Sequence, residues 1–162
     1  MTLIFCNIIL KDMSWCSKSH KEDIATVCFL HDISLNDLEE GMKISTKKEL
    51  EISDFDKINK KVIEKHALLS SQLLTKHKNI SSESLKTIKQ HHGDMNGTNF
   101  KDDQIDKNLS PLTMIFILSE FIANQFLLNS EKNIKSVIEN VYKIYGKETF
   151  KNEIISLSKG LK

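Results

Sequence analysis

Two pairs of adjacent polar residues in this chain carry side chains from which metal sites are built. His31 and Asp32 close one apolar stretch, and His91 and His92 follow a second amphipathic stretch 60 residues later. His66 lies between the two pairs. Imidazole and carboxylate groups cost several kcal/mol when they are buried without a partner, and both are ligands for divalent transition metals. These five residues therefore indicate a metal site in the interior of the protein.

Seven helices are predicted to position these residues. Apolar residues recur at helical spacing, and capping residues or an initial proline mark several of the helix starts. The segments 34–54 and 93–110 are polar and are predicted as loops, the first with one short helix. The predicted helices, in chain order, are Leu3–Trp15, Ser19–Asp32, Ser53–Leu73, Ser81–His92, Pro111–Phe126, Asn133–Tyr145 and Lys147–Ser158.

The composition supports an all-α fold. The chain has 162 residues, which suits a single domain spanning 1–162, and only 5 glycines and 1 proline, which disfavours a turn-rich β protein. We therefore predict one helical bundle. The net charge of +1 indicates no electrostatic attraction to nucleic acid or to a membrane surface.

The basic and sulfur-containing residues add two expectations. All 23 basic residues are lysine, so the two-pronged phosphate contacts that arginine makes are absent; a lysine-rich composition without functional meaning is the alternative. The three cysteines, Cys6, Cys16 and Cys28, match no zinc spacing. With no signal peptide and no apolar run of about 20 residues, a reducing cytoplasm is the expected location.

Each candidate ligand also has an ordinary structural explanation. His31 and His66 are consistent with hydrogen-bonded core histidines, and His91 with His92 is consistent with a surface pair at a helix end. Glu120 lies among the apolar positions of the helix that begins at Pro111, where an ion pair between helices would also explain it. His20 and His77, in contrast, are predicted to be solvated.

The joint occurrence of these groups favours a metal site over the separate explanations. Four predicted helices each bring at least one of them to an apolar face, where unsatisfied polar atoms cost about 1–3 kcal/mol each. Mixed histidine and carboxylate ligation with more than four ligands favours a two-metal centre over one tetrahedral zinc.

At these residues the chain resembles the HD superfamily of metal-dependent phosphohydrolases, and its HD-GYP branch in particular. The order of the landmarks carries the resemblance. The run 25–33 ends in His31-Asp32-Ile33, and Glu64-Lys65-His66 is followed by paired leucines. His91-His92 then precedes Gly97, and the segment from Pro111 ends at Glu120.

The resemblance implies an HD-like fold and a site with two divalent ions, iron or manganese. By position, the implied metal ligands are His31, Asp32, His66, His91, His92 and Glu120. Asp32 corresponds to the carboxylate that bridges the metals and is the implied catalytic residue. Lys132 keeps a basic residue of the implied substrate site. The family's first histidine would fall just before Met1, so either this chain lacks that ligand or it is a fragment without the family's first helix or an upstream domain.

Several positions depart from the family pattern. Ser34-Leu35 stands in place of Gly-Lys, and Asn99-Phe100-Lys101 stands in place of Gly-Tyr-Pro. The remaining replacements are Gly93 for glutamate, Ser70 for glycine and Asn129 for a phosphate-holding arginine. These departures affect substrate recognition and proton transfer more than metal binding.

Two functions from different classes follow from this pattern. The first is a phosphodiesterase of the cyclic di-GMP type, in which family members use a metal-bridged hydroxide; without the family lysine and arginine its activity is expected to be weak. The second is a non-catalytic signalling module that keeps metal as a structural element and binds a protein or a nucleotide. A degenerate module without metal is a third alternative, which the retained ligand set disfavours.

Overall fold

The computed structural model describes residues 1–100, 105–106, 108–128, 133–145 and 150–161. Within these ranges the chain is all-helical and contains no β-strand, which confirms the predicted all-α class. Its α-helices are α1 (Thr2–Lys11), α2 (Lys18–Leu30), α3 (Lys47–Ile52), α4 (Lys57–Glu64), α5 (His66–Leu74), α6 (Ser82–Gln90), α7 (Pro111–Leu128), α8 (Ile134–Tyr145) and α9 (Lys151–Gly160). Two 3-10 helices, Ile33–Leu35 and Glu39–Lys43, connect α2 to α3.

Helix α7 lies at the centre of the main hydrophobic core. Its residues Ile115, Phe116 and Leu118 are fully buried, and α1, α2, α6, α8 and α9 all pack against this helix. Burial of this apolar surface is the main stabilising contribution. No helix in the described part of the chain is both long and apolar enough to cross a membrane.

The third predicted helix is two helices. The segment 53–73 was expected to be continuous, but α4 ends at Glu64 and α5 begins at His66. The His66 ring bonds to the carbonyl of Ile63 at 2.5 Å. A side chain that bonds to a nearby backbone carbonyl competes with the regular helical ladder, and here the break sets the position of His66. Together with the short helix α3, this break gives nine α-helices in the described residues, where the sequence predicted seven.

Several helix boundaries differ from the sequence prediction, among them the end of the first helix and the start of the second. Helix α1 ends at Lys11 rather than at Trp15. Helix α2 is capped by Ser17 rather than Ser19: the Ser17 side chain accepts a hydrogen bond from the backbone of His20, and the Ser17 N–H donates to the His20 ring at 3.0 Å. A histidine therefore fills the role that a glutamate usually has in this motif.

A second, smaller core lies beside the candidate site. It consists of Leu35, Leu50, Ile63 and Phe100, which are all 5% exposed or less. Leu35 is 0% exposed in this cluster. Its side chain therefore has a packing role.

Candidate metal centre

The ends of three helices and the middle of a fourth bring the six predicted ligands together. His31 is the C-terminal cap of α2 and Asp32 follows it, whereas His66 is the first residue of α5. His91 is the C-terminal cap of α6 and His92 follows it; Glu120 lies within α7. The tight turn after the histidine pair passes through Gly97, whose φ is +68° and whose carbonyl accepts a hydrogen bond from the Leu68 N–H at 3.1 Å.

Three of the histidine rings are anchored in the same way. The Nδ1 atoms of His31, His66 and His91 lie 3.1, 2.5 and 2.7 Å from the backbone carbonyls of Val27, Ile63 and Ile88. A carbonyl oxygen only accepts hydrogen bonds, so each Nδ1 carries the proton. In the neutral ring the Nε2 atom then presents a lone pair, which is the form that binds metal.

The Nε2 atoms of three histidine rings converge. The Nε2 atom of His66 lies 3.1 Å from that of His91 and 2.9 Å from that of His92. Ligand atoms of all three residues lie within 4.8 Å of one another. The unprotonated Nε2 atoms of His66 and His91 repel each other at this separation, and a cation between them removes the repulsion. The cluster of His66, His91 and His92 could hold a metal ion.

The Asp32 carboxylate joins this cluster to a second group of ligands. Its Oδ1 lies 3.1 Å from His66 Nε2 and 3.6 Å from His91 Nε2, whereas its Oδ2 lies 3.3 Å from His31 Nε2. On the other side of His31, Glu120 Oε1 lies 3.2 Å from the same Nε2 atom. Asp32 Oδ1 is buried and has no hydrogen-bond partner among the described residues. A buried carboxylate oxygen without a donor is the expected state of a metal ligand seen without its cation.

The electrostatics of the site separate its histidines into two types. Burial and the neighbouring rings of His66 and His31 lower the pKa of His91 to about 4. Burial and the ring of His91 also hold the pKa of His92 well below its usual value. These two rings are therefore neutral at pH 7 and available as ligands.

The carboxylates have the opposite effect on His31. Burial alone would lower its pKa, but contacts with Asp32 and Glu120 outweigh burial and raise the pKa well above the ordinary value. Asp32 itself is buried, which would raise its pKa, yet contacts with His31 and His66 hold the pKa far below its usual range. In the metal-free protein a protonated His31 therefore compensates part of the negative charge that a metal would otherwise neutralise.

The residues present thus fit a divalent metal. The donor set combines neutral imidazole nitrogens and ionised carboxylates, which suit iron, manganese, zinc and nickel. The nitrogen lone pairs face one another, and one carboxylate oxygen between them lacks a donor. Each of these two arrangements costs free energy in the protein alone, and a bound cation would turn that cost into a favourable interaction.

Several residues that support the site were not singled out from the sequence as its neighbours. The Phe100 ring lies 4.2 Å from the His92 ring, and the Phe116 ring lies 5.1 Å from the His31 ring, measured between centroids. Phe116 precedes Glu120 by four residues, so helical spacing places it on the same face. Phe100 lies in a loop, where no periodic signal identifies it.

A pair of serines holds the start of α5 against the loop after Asp32. The Ser34 hydroxyl donates to the His66 carbonyl at 3.0 Å, and the Ser70 hydroxyl donates to the Ser34 oxygen at 2.9 Å. The Ser34 N–H donates to the Ser70 oxygen at 3.1 Å. The two serines therefore bond to each other across the two segments. Lys132, predicted to contact substrate, and Asn129 lie outside the described residues.

Comparison with known proteins identifies no relative of this chain. No family model matches it, and neither a curated protein nor a solved structure does.

Proposed function

We propose that this protein is a metal-dependent phosphodiesterase of the HD-GYP type with weak activity on cyclic dinucleotides. The observation that carries the proposal is the convergence of the His66, His91 and His92 nitrogens around a buried Asp32 oxygen that has no donor. The order of these residues along an all-helical chain supports the HD-like assignment.

Two metal ions, iron or manganese, would be held by six residues. His66, His91 and His92 form one set of ligands, His31 and Glu120 form the other, and Asp32 contacts both sets. Bound metal ions of this type supply Lewis acidity, which activates water and neutralises charge that develops on a phosphoryl group. Asp32 is the proposed catalytic residue because its two oxygens face the two sets of ligands.

The chain's own residues limit the rate. There is no arginine to hold a phosphate at two points, and the side chain of Leu35 is enclosed in the second core. Lys132 is the proposed phosphate contact. Loss of one electrostatic donor costs about 10²–10³ in rate, so we expect turnover of cyclic di-GMP below roughly 1 per second, the lower end of ordinary enzymes.

A non-catalytic module with a structural metal is the second candidate. The burial of Leu35 favours it, because the position at which the resembled family has a lysine that assists phosphate chemistry contributes to packing in this chain. In that case a bound metal would hold α2, α5, α6 and α7 in place. The surface of the domain would then bind a protein or nucleotide partner.

Hydrolysis by the manganese-loaded protein distinguishes the two candidates. The substrates are bis(p-nitrophenyl) phosphate and cyclic di-GMP, and the metal content of each sample is measured in parallel. The variants are Asp32→Asn, and His77→Ala as a control at an exposed histidine. The hydrolase proposal expects slow turnover that survives in His77→Ala and disappears in Asp32→Asn. Bound metal without turnover on either substrate would support the structural role, and an absence of metal would contradict both.

A further inference from the structure

A chain of hydrogen bonds through two serines links the segment of Asp32 to the segment of His66. The Ser34 N–H donates to the Ser70 hydroxyl oxygen at 3.1 Å, and the Ser70 hydroxyl donates to the Ser34 oxygen at 2.9 Å. The Ser34 hydroxyl then donates to the His66 carbonyl at 3.0 Å. Because a carbonyl oxygen only accepts, the direction of every bond in this chain is fixed. Ser70 is fully buried, so bulk water does not replace its bonds.

These bonds reach Asp32 through one tight turn. Asp32 is the N-terminal cap of the 3-10 helix Ile33–Leu35, and its carbonyl accepts a hydrogen bond from the Leu35 N–H at 2.8 Å. Ser34 lies within that turn, two residues after Asp32. Its bonds therefore fix the backbone that carries the Asp32 carboxylate, whose Oδ1 lies 3.1 Å from His66 Nε2.

We propose that Ser34 and Ser70 are positioning residues that hold the Asp32 carboxylate against His66 and thereby set the affinity of the site for manganese. This role rests on the proposed function, since it concerns the same metal centre. Carboxylate oxygens are the ligands that suit manganese, whereas imidazole suits zinc. Three histidine nitrogens and one water molecule form an ordinary zinc site without a carboxylate. Misplacement of Asp32 should therefore weaken manganese binding more than zinc binding.

The histidine cluster is held by contacts that do not involve the two serines. Helix α5 packs against α6, the helix that is capped by the first of the paired histidines. The loop after this pair is also bonded to the first turn of α5, through the Gly97 carbonyl and the Leu68 N–H. Loss of the serine bonds therefore leaves His66 beside the histidine pair and releases the turn of Asp32.

Four variants separate these contacts. Ser70→Ala removes both bonds between the serines, and Ser34→Ala, at a partly exposed position, removes the bonds of the other hydroxyl. Ser34→Thr keeps that hydroxyl and should restore the wild-type behaviour. Ser71→Ala is the matched control, because Ser71 is a buried serine of the same helix whose hydroxyl donates to the Leu85 carbonyl at 3.0 Å.

Calorimetric titration of the metal-free full chain with manganese and, separately, with zinc measures the two affinities. Ser70→Ala and Ser34→Ala should bind manganese about tenfold more weakly than wild type, a loss typical of removing a residue that supports a metal ligand. Their zinc affinities should be unchanged. Ser34→Thr and Ser71→Ala should match wild type with both metals. Equal losses for the two metals in the alanine variants of the pair, or no loss with manganese, would overturn the proposal.

Crystal structures of the metal-free proteins test the positioning without any metal. In Ser70→Ala the distance from Asp32 Oδ1 to His66 Nε2 should increase by more than about 0.5 Å, the tolerance within which functional groups must be held. Ser71→Ala should keep the wild-type distance. An unchanged distance in Ser70→Ala would overturn the positioning role. A wild type that binds neither metal would contradict the proposed function, while these distances would still decide whether the serines position Asp32.

Discussion

Removal of the Asp32 charge should abolish the stabilisation of this protein by metal. Asp32 contacts His31 through one oxygen and His66 through the other, so its carboxylate joins the two sets of ligands. Asparagine keeps the shape of the side chain but removes the negative charge that favours a divalent cation. A metal ion bound at the proposed site would bind the folded chain and not the unfolded one, so its binding free energy would add to the free energy of unfolding.

The size of the chain sets the expected change in melting temperature. Manganese at 100 times its dissociation constant adds about 2.7 kcal/mol to the free energy of unfolding. For a chain of 162 residues, each kcal/mol changes the melting temperature by about 2–4 °C. Wild type should therefore melt about 5–11 °C higher with manganese than after chelation. The corresponding difference for Asp32→Asn should be below about 2 °C.

Thermal melting followed by circular dichroism measures this difference. Each variant is compared with itself, with and without manganese, because Asp32→Asn also changes the stability of the metal-free protein through His31. His77→Ala serves as the control, since His77 is an exposed histidine that is not among the proposed ligands. A wild type that holds stoichiometric manganese but melts unchanged would refute the reasoning. An equal loss of the shift in His77→Ala would show that the site lies elsewhere.

Further predictions follow from buried groups. The metal-free protein should lose stability as pH falls from 6.5 towards 4, because the pKa of His91 is lowered to about 4 and the unfolded chain binds the proton first. The loss in the free energy of unfolding is about 3 kcal/mol. In urea unfolding, the free energy of unfolding of His91→Gln should depend less steeply on pH than that of the wild type. His31, whose pKa is raised, contributes with the opposite sign, and its contribution is lost as pH rises above 6.5. Leu35→Ala should lower the free energy of unfolding by about 2–5 kcal/mol, whereas Leu73→Ala at a 52% exposed position should change it little. A small loss of stability in Leu35→Ala would contradict the role of the second core. Burial raises the pKa of Glu153, so Glu153→Gln should raise the free energy of unfolding at pH 7 but not below pH 4.5. Equal changes in the free energy of unfolding at both pH values would argue against a buried charge.

The sequence by itself determined the helical class and the chemistry of the candidate site. Few glycines and a single proline leave long segments free to form helices, and apolar spacing identifies which face of each helix is buried. Adjacent histidine and aspartate residues on such faces require partners, whatever the fold, because desolvation of an unpaired polar group is unfavourable. This local argument selects His31, Asp32, His66, His91 and His92 as candidate ligands, whereas Glu120 was added as a ligand by the family resemblance.

Only the tertiary structure decided how these side chains are arranged. The break at Lys65, which makes His66 the first residue of α5, depends on a side-chain bond to the Ile63 carbonyl, and periodicity contains no signal for such a bond. The burial of Leu35 against Ile63 and Phe100 joins residues that are far apart in the chain, and the contact of Phe100 with His92 lies in a loop without periodicity. The convergence of the Nε2 atoms of His66 and His91 depends on two separate carbonyl anchors, those of Ile63 and Ile88, each at its own helix end. Periodicity reports which face of a helix is buried, but ring orientation depends on the atoms that pack around it.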